Sequence, residues 1–268
     1  VARKCIFCQE RPGSHEHIFP DWLNNVFPVD EDNEERPEWA RHRAGSEGVT
    51  VQTWSAAAIA SITSRLVCHD CNTGWMADLE TEAQPLLTPM MTGNPVEMTT
   101  LEQLTVATWA TKTVMAIEPS ITSEDNFPAS VCRIVKEHSR PPASVEVSLA
   151  AVEGPIPPMG FSCARVHMQV NESPFRDYHF YTVFFGTLVI QVLRPNPPPA
   201  DFGTLERMVV PREIEVRPDI ARVIFPPMTA CRWPPEKVLD WDGVMGFTHR
   251  NLPMPQEWEP PGPQGAPP

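Results

Sequence analysis

Two short stretches decide the fold: Lys4-Cys5-Ile6-Phe7-Cys8 near the start, and Val67-Cys68-His69-Asp70-Cys71-Asn72 much later. Each is a C-x-x-C pair, a spacing that turns two thiolates toward one point. Two such pairs supply four sulfurs, the donor set of a tetrahedral zinc with no position left open. The 59 residues between the pairs exceed the gap of a compact zinc finger. That gap suits a site built from a knuckle on one side and the start of a later helix on the other. Cys5, Cys8, Cys68 and Cys71 are therefore the expected ligands of a structural zinc. Cys132, Cys163 and Cys231 stand alone and read as small apolar residues. A total of seven cysteines argues against a disulfide framework.

Outward from these pairs, the chain of 268 residues has room for one large domain or two smaller ones. Hydrophobic residues make up 41%, enough for a packed core. The longest apolar run, Tyr178 to Leu193, is broken by Thr182, Gly186, Thr187 and Gln191 and is too short to span a bilayer as a helix. The first ten residues contain no apolar segment with a small-residue cleavage site, so no signal peptide and a cytoplasmic protein are expected. Net charge is -13, so a nucleic-acid partner would have to meet a locally positive surface. Six acids fall between Asp30 and Glu38 and read as a solvated loop. Proline is abundant, at 32 residues, and seven of these lie in 251–268, which reads as an extended tail.

Patterning divides the chain at about residues 95 and 250. In the first part, Asp21 to Phe27 has helical spacing, Val49 to Trp54 alternates as a short strand, and a helix is expected near Asn72 with Trp75, Met76 and Leu79 on one face. Thr99 with Glu102, and Thr100 with Gln103, form two overlapping capping boxes. They open a long helix, apolar nearly all round, that Pro119 should stop. From about residue 130 the pattern turns to strands: 145–149, 164–170, 178–185 and 188–193, the last two joined by a hairpin at Gly186-Thr187. The expectation is an α+β protein: module 1–95, a helix plus antiparallel sheet over 96–250, and the tail.

Between and after the cysteine pairs stand Glu16-His17-Ile18-Phe19-Pro20-Asp21-Trp22-Leu23 and Asn72-Thr73-Gly74-Trp75-Met76-Ala77-Asp78-Leu79-Glu80. With the knuckles, this combination resembles the bacterial and phage HNH endonucleases of zinc-knuckle type. The resemblance covers residues 4–80, and Trp109-Ala-Thr-Lys-Thr113 looks like a helix that often follows this module. It implies a treble-clef, ββα-metal fold that hydrolyses nucleic-acid phosphodiesters, with DNA the expected substrate. It further implies Glu16 and Asn72 as ligands of a catalytic magnesium or manganese, and His17 as the general base. His15 is a further candidate metal contact, and Arg3, Lys4, Arg11 and Arg65 are candidate phosphate contacts.

The chain departs from that pattern at one point. The middle Asn, which orients the base, is absent, and Thr63 and Ser64 occupy the region where it is expected. Two alternatives therefore stay open. One is a weak or inactive zinc-binding scaffold that meets a protein partner through its acidic surface or proline-rich tail. The other is an effector nuclease gated by a ligand at its second half.

Overall fold

Strands from the second half pair into one antiparallel sheet, and the rest of the molecule is arranged around it. In this computed structural model the described residues are 4–11, 13, 16–17, 19–28, 38–45, 48–55, 63–64, 66–121, 127–154, 159–168, 176–196, 215–248 and 250. The first part contains β1 (Glu16–His17), α1 (Leu23–Val26), a ribbon of β2 (Glu38–Gly45) and β3 (Gly48–Ser55), and β4 (Thr63–Ser64). A helix follows in three pieces: α2 (His69–Cys71), a π-helical stretch (Asn72–Met76) and α3 (Ala77–Met91). After β5 (Val96–Met98) come α4 (Thr100–Ile121), α5 (Ala129–His138), β6 (Glu146–Ala151), β7 (Met159–Met168), β8 (Arg176–Phe185), β9 (Leu188–Asn196), β10 (Ala221–Phe225), β11 (Cys231–Trp233) and α6 (Trp241–Thr248). The expected mixture of helix and antiparallel sheet is present. Among the described residues no helix is long and apolar enough to cross a membrane.

The main sheet runs β10-β6-β9-β8-β7, with every neighbour antiparallel. Both faces are covered, which explains why β8 and β9 read as almost continuous apolar runs rather than alternating ones. On one face Trp109, Ala110, Thr113 and Val114 of α4 meet Val183, Phe185, Ile190 and Val192. On the other, Val244 and Phe247 of α6 pack with Phe184 and Val189. Gln191 is fully buried on this second face and donates to the Phe247 carbonyl at 2.7 Å, so its amide is satisfied.

Helix α4 has the capping box at Thr99, whose backbone N–H donates to Glu102 Oε2 at 2.7 Å. The second box does not form. Gln103 instead donates to the Met98 and Thr229 carbonyls at 3.2 and 2.7 Å, tying the helix start to a distant loop. Pro119 does not stop the helix, which continues to Ile121. Proline loses one amide donor and clashes with the carbonyl four residues back, yet its φ is helical, so a last turn survives. Likewise α3 runs through Pro85 and Pro89.

The span 129–138 is helical, not the start of the strand region. Val131, Cys132 and Val135 are its buried face, and Ser139 ends it in the left-handed region at φ 47°. Its β-branched content imitates a strand, but the spacing of its buried residues is that of a helix.

The first part and the sheet share one core. Phe19 stands edge-on to Phe185 with centroids 5.6 Å apart, and Phe185 lies 5.9 Å from Trp109. Lys112, wholly buried on α4, reaches Glu80 of α3 at 2.7 Å. The hairpin tip completes the junction. Gly186 has φ +52°, and a Cβ there would lie 2.3 Å from the Met91 carbonyl oxygen. Thr187 N–H donates to that same oxygen at 3.2 Å, and its hydroxyl donates to Met90 at 2.6 Å. The end of α3 is thereby held by the turn between β8 and β9.

At the other end of α4, Glu118 is buried and paired with Arg194 at 2.7 Å. It also accepts from the Tyr181 hydroxyl and, at 2.6 Å, from the Phe127 amide. The Arg194 guanidinium lies 4.5 Å over the Phe127 ring. Burial, then the neighbouring Glu118 charge, pushes the Tyr181 phenol far above its ordinary range, so it stays a donor. Removing one member of such a pair strands a charge in the core. Arg194→Met should cost about 3–5 kcal/mol in urea unfolding. Glu118→Gln with Arg194→Met together should recover part of that loss, which the two unfolding curves will show.

Candidate metal centre

The first knuckle is a turn closed by its own backbone. Cys5 N–H donates to the Glu10 carbonyl at 2.8 Å, and Gln9 N–H returns to the Cys5 carbonyl at 2.9 Å. Gln9 takes φ 66° to make this reversal, and its side-chain amide donates to the same Cys5 carbonyl at 3.0 Å. The second knuckle is a helix start. Cys68 is the extended N-cap, Cys71 lies in the first turn, and Asn72 N–H donates to the Cys68 carbonyl at 3.1 Å. The helix begins at His69, so Asn72 lies within it and does not cap it. One rung joins the two knuckles, from Ile6 N–H to the Leu66 carbonyl at 3.0 Å.

This framework brings the four sulfurs of Cys5, Cys8, Cys68 and Cys71 within 4.8 Å of one another. Tetrahedral zinc with Zn–S bonds near 2.3 Å requires sulfur–sulfur separations of roughly 3.8 Å, so the cluster can hold a metal ion. Cys8 and Cys68, at 3.4 Å, are far outside disulfide length. Cys5 and Cys71 are wholly buried, and Phe7 meets Trp75 edge-on at 5.0 Å. Cys132, Cys163 and Cys231 lie outside the cluster.

Burial pushes the Cys71 thiol up to about 12, against the lowering effect of the Trp75 indole N–H beside it. That indole nitrogen is buried and has no conventional hydrogen-bond partner. Burial likewise raises Cys8. For Cys68 burial is outweighed by the Cys71 backbone N–H and the neighbouring thiols, and its pKa is lowered. Lys136 of α5 sits against the same sulfurs. Burial would depress it, but Cys71, Cys8 and Cys68 hold it above the ordinary lysine range. A four-thiolate zinc carries a net charge of −2, and an ammonium beside it offsets part of that charge.

Beside this cluster β1 and β4 pair antiparallel, Glu16 opposite Ser64 and His17 opposite Thr63. The His17 side chain is 42% exposed, and its Nδ1 lies 3.5 Å from Asp21 Oδ1. That is ion-pair distance, longer than a normal hydrogen bond. Asn72 is half-buried directly after Cys71. Among the described residues no hydrogen bond links it to His17. The Glu16 side chain, Arg3, His15 and Arg65 lie outside the described residues, as do the acidic stretch before Glu38 and the 251–268 tail. Glu80 is engaged by Lys112.

Sequence reading missed Asp21 as a partner of His17, although H-x-x-x-D was there to be seen. The helical spacing of 21–27 draws Asp21 into a helix rather than toward His17. It also missed Lys136, whose helix reads as strand. No family model, curated protein or solved structure matches the chain.

The sulfur geometry predicts one equivalent of zinc per chain by elemental analysis. Cys68→Ser with Cys71→Ser should drop this below half an equivalent. The same change should lower Tm markedly, because metal-binding energy at such a site is folding energy.

Proposed function

We propose that this protein is a metal-dependent endonuclease of the HNH type that cuts DNA phosphodiesters and carries a structural zinc on its four cysteines. The observation that carries the reading is the register of β1 against β4, followed at once by a helix that starts at the second knuckle. A strand bearing Glu16 and His17, a partner strand, and a helix bearing Asn72 support the ββα reading that the motifs imply.

His17 is the general base. Its partly exposed ring can reach a water, and Asp21 beside Nδ1 favours the tautomer in which Nε2 takes the proton. Asp21 thus replaces the missing middle Asn as the group that orients the base. A 3.5 Å separation is consistent with a hydrogen bond that shortens when substrate binds. Glu16 and Asn72 offer a carboxylate and an amide oxygen, hard donors suited to magnesium or manganese. A divalent ion held there supplies charge neutralisation at the phosphate and the leaving oxygen. Thiolates and oxygens keep the two metals apart by ligand softness.

A plasmid-cleavage assay with magnesium, manganese or EDTA tests this. His17→Ala should lose ~100- to 10,000-fold in rate while retaining zinc and Tm. Asp21→Asn should lose ~10- to 100-fold, the usual cost of removing a group that orients another. Extra metal should rescue Glu16→Ala but not His17→Ala. A wild type inert with every metal would instead favour the scaffold reading.

A further inference from the structure

The four sulfurs of the metal centre are alike as donors but not in exposure. Cys5 and Cys71 are wholly buried, and Cys68 is nearly so. Cys8 is half-buried, so it is the sulfur of the four that a solute can reach. A thiolate is a nucleophile as well as a metal ligand, whereas zinc itself has no redox chemistry. Attack by an electrophile must therefore fall on sulfur, and here on Cys8.

We propose that Cys8 is a site of oxidation by hydroperoxides, and that the product is a disulfide to Cys68 which joins the two knuckles in place of zinc. Three observations choose Cys68 as the partner. The first is distance. The Cys8 and Cys68 sulfurs are 3.4 Å apart, inside the roughly 3.8 Å edge that a tetrahedral zinc sets. The second is register. The rung from Ile6 N–H to the Leu66 carbonyl joins the two chains two residues before Cys8 and two residues before Cys68. Both cysteines leave the rung with the same offset and arrive side by side. The third is freedom to move. Cys68 is the extended N-cap, ahead of the helix, while Cys71 lies inside its first turn. Closing the gap from Cys68 leaves the helical backbone in place.

The reaction balances with one peroxide. The Cys8 thiolate attacks a peroxide oxygen and the O–O bond breaks. The released hydroxide takes up a proton, and Cys8 is left as a sulfenic acid. The Cys68 thiolate then attacks the Cys8 sulfur. The S–S bond forms, the S–O bond breaks, and the departing hydroxide takes up a second proton. Two thiolates have lost two electrons, and hydrogen peroxide has become two waters. Cys5 and Cys71 remain as half of the donor set, too few for a closed four-sulfur site. The bridge spans the same 60-residue separation that the metal had closed, so the segment bearing β1 and β4 stays tied at both ends when zinc leaves.

The test uses the full zinc-loaded chain and needs no nuclease activity. Substoichiometric iodoacetamide followed by peptide mapping should label Cys8 ahead of Cys5, Cys68 and Cys71. Hydrogen peroxide should release one zinc to a chelating dye for each Cys8–Cys68 disulfide mapped by mass spectrometry. Dithiothreitol with added zinc should restore the starting form. Cys163 and Cys231 are also half-buried but lie outside the cluster, so Cys163→Ser with Cys231→Ser should form the same bridge and release the same zinc. The oxidised chain should melt above the reduced chain stripped of zinc by a chelator. A first label on another cysteine of the cluster, a bridge within either C-x-x-C pair, or zinc retained under peroxide would each overturn the proposal. So would zinc loss without a bridge, a double serine variant that no longer responds, an oxidised chain that melts no higher than the stripped one, or a purified chain that holds no zinc.

Discussion

Everything in the first part of this molecule depends on four thiols from opposite ends of a long loop meeting in one small volume. β1 and β4 are two residues each, too short to pair unaided. They meet because the chain before β1 is anchored at Cys5 and Cys8, and the chain after β4 at Cys68 and Cys71. The first knuckle is rung to Leu66 by Ile6, only two residues beyond β4. The metal centre therefore acts on His17 indirectly, by fixing both ends of the segment that carries it.

Several of the motif residues hold the first part of the chain to the rest of the protein. Phe19 carries no reactive group, yet it closes the contact with Phe185 and, through that ring, with Trp109. Glu80 neutralises Lys112, a lysine otherwise sealed in the core. Trp75 packs on Phe7 beneath the first knuckle and places its N–H beside Cys71. Three separate motifs in the sequence are thus one packed junction in the fold.

How much of this the residues disclosed follows from the range of each interaction. The knuckles were legible because ligand spacing within C-x-x-C is local. The hairpin at Gly186-Thr187 was legible because turn chemistry sits between two apolar runs. Pairing of Glu16-His17 with Thr63-Ser64 was not, since two residues have no periodicity. Helix α5 was hidden by Val131, Ile134 and Val135, whose branched side chains favour strands when packing is unknown. The length of α3 was masked by Pro85 and Pro89, which tertiary contacts override. Asp21 was hidden for a different reason. It lies four residues from His17 in sequence, but the helical spacing of 21–27 groups it with the segment that follows.

The Ile6–Leu66 rung, with the sulfur cluster beside it, also shapes how such a protein can change over time. Because both ends of the intervening chain are clamped from outside, its contents are nearly free to vary. Closing a loop twice as long costs only about 0.6 kcal/mol more, so the clamp bears insertion cheaply. The ribbon between β1 and β4 can then be regarded as cargo on a fixed mount. A lineage could exchange it for another element without disturbing the thiols or the histidine's strand.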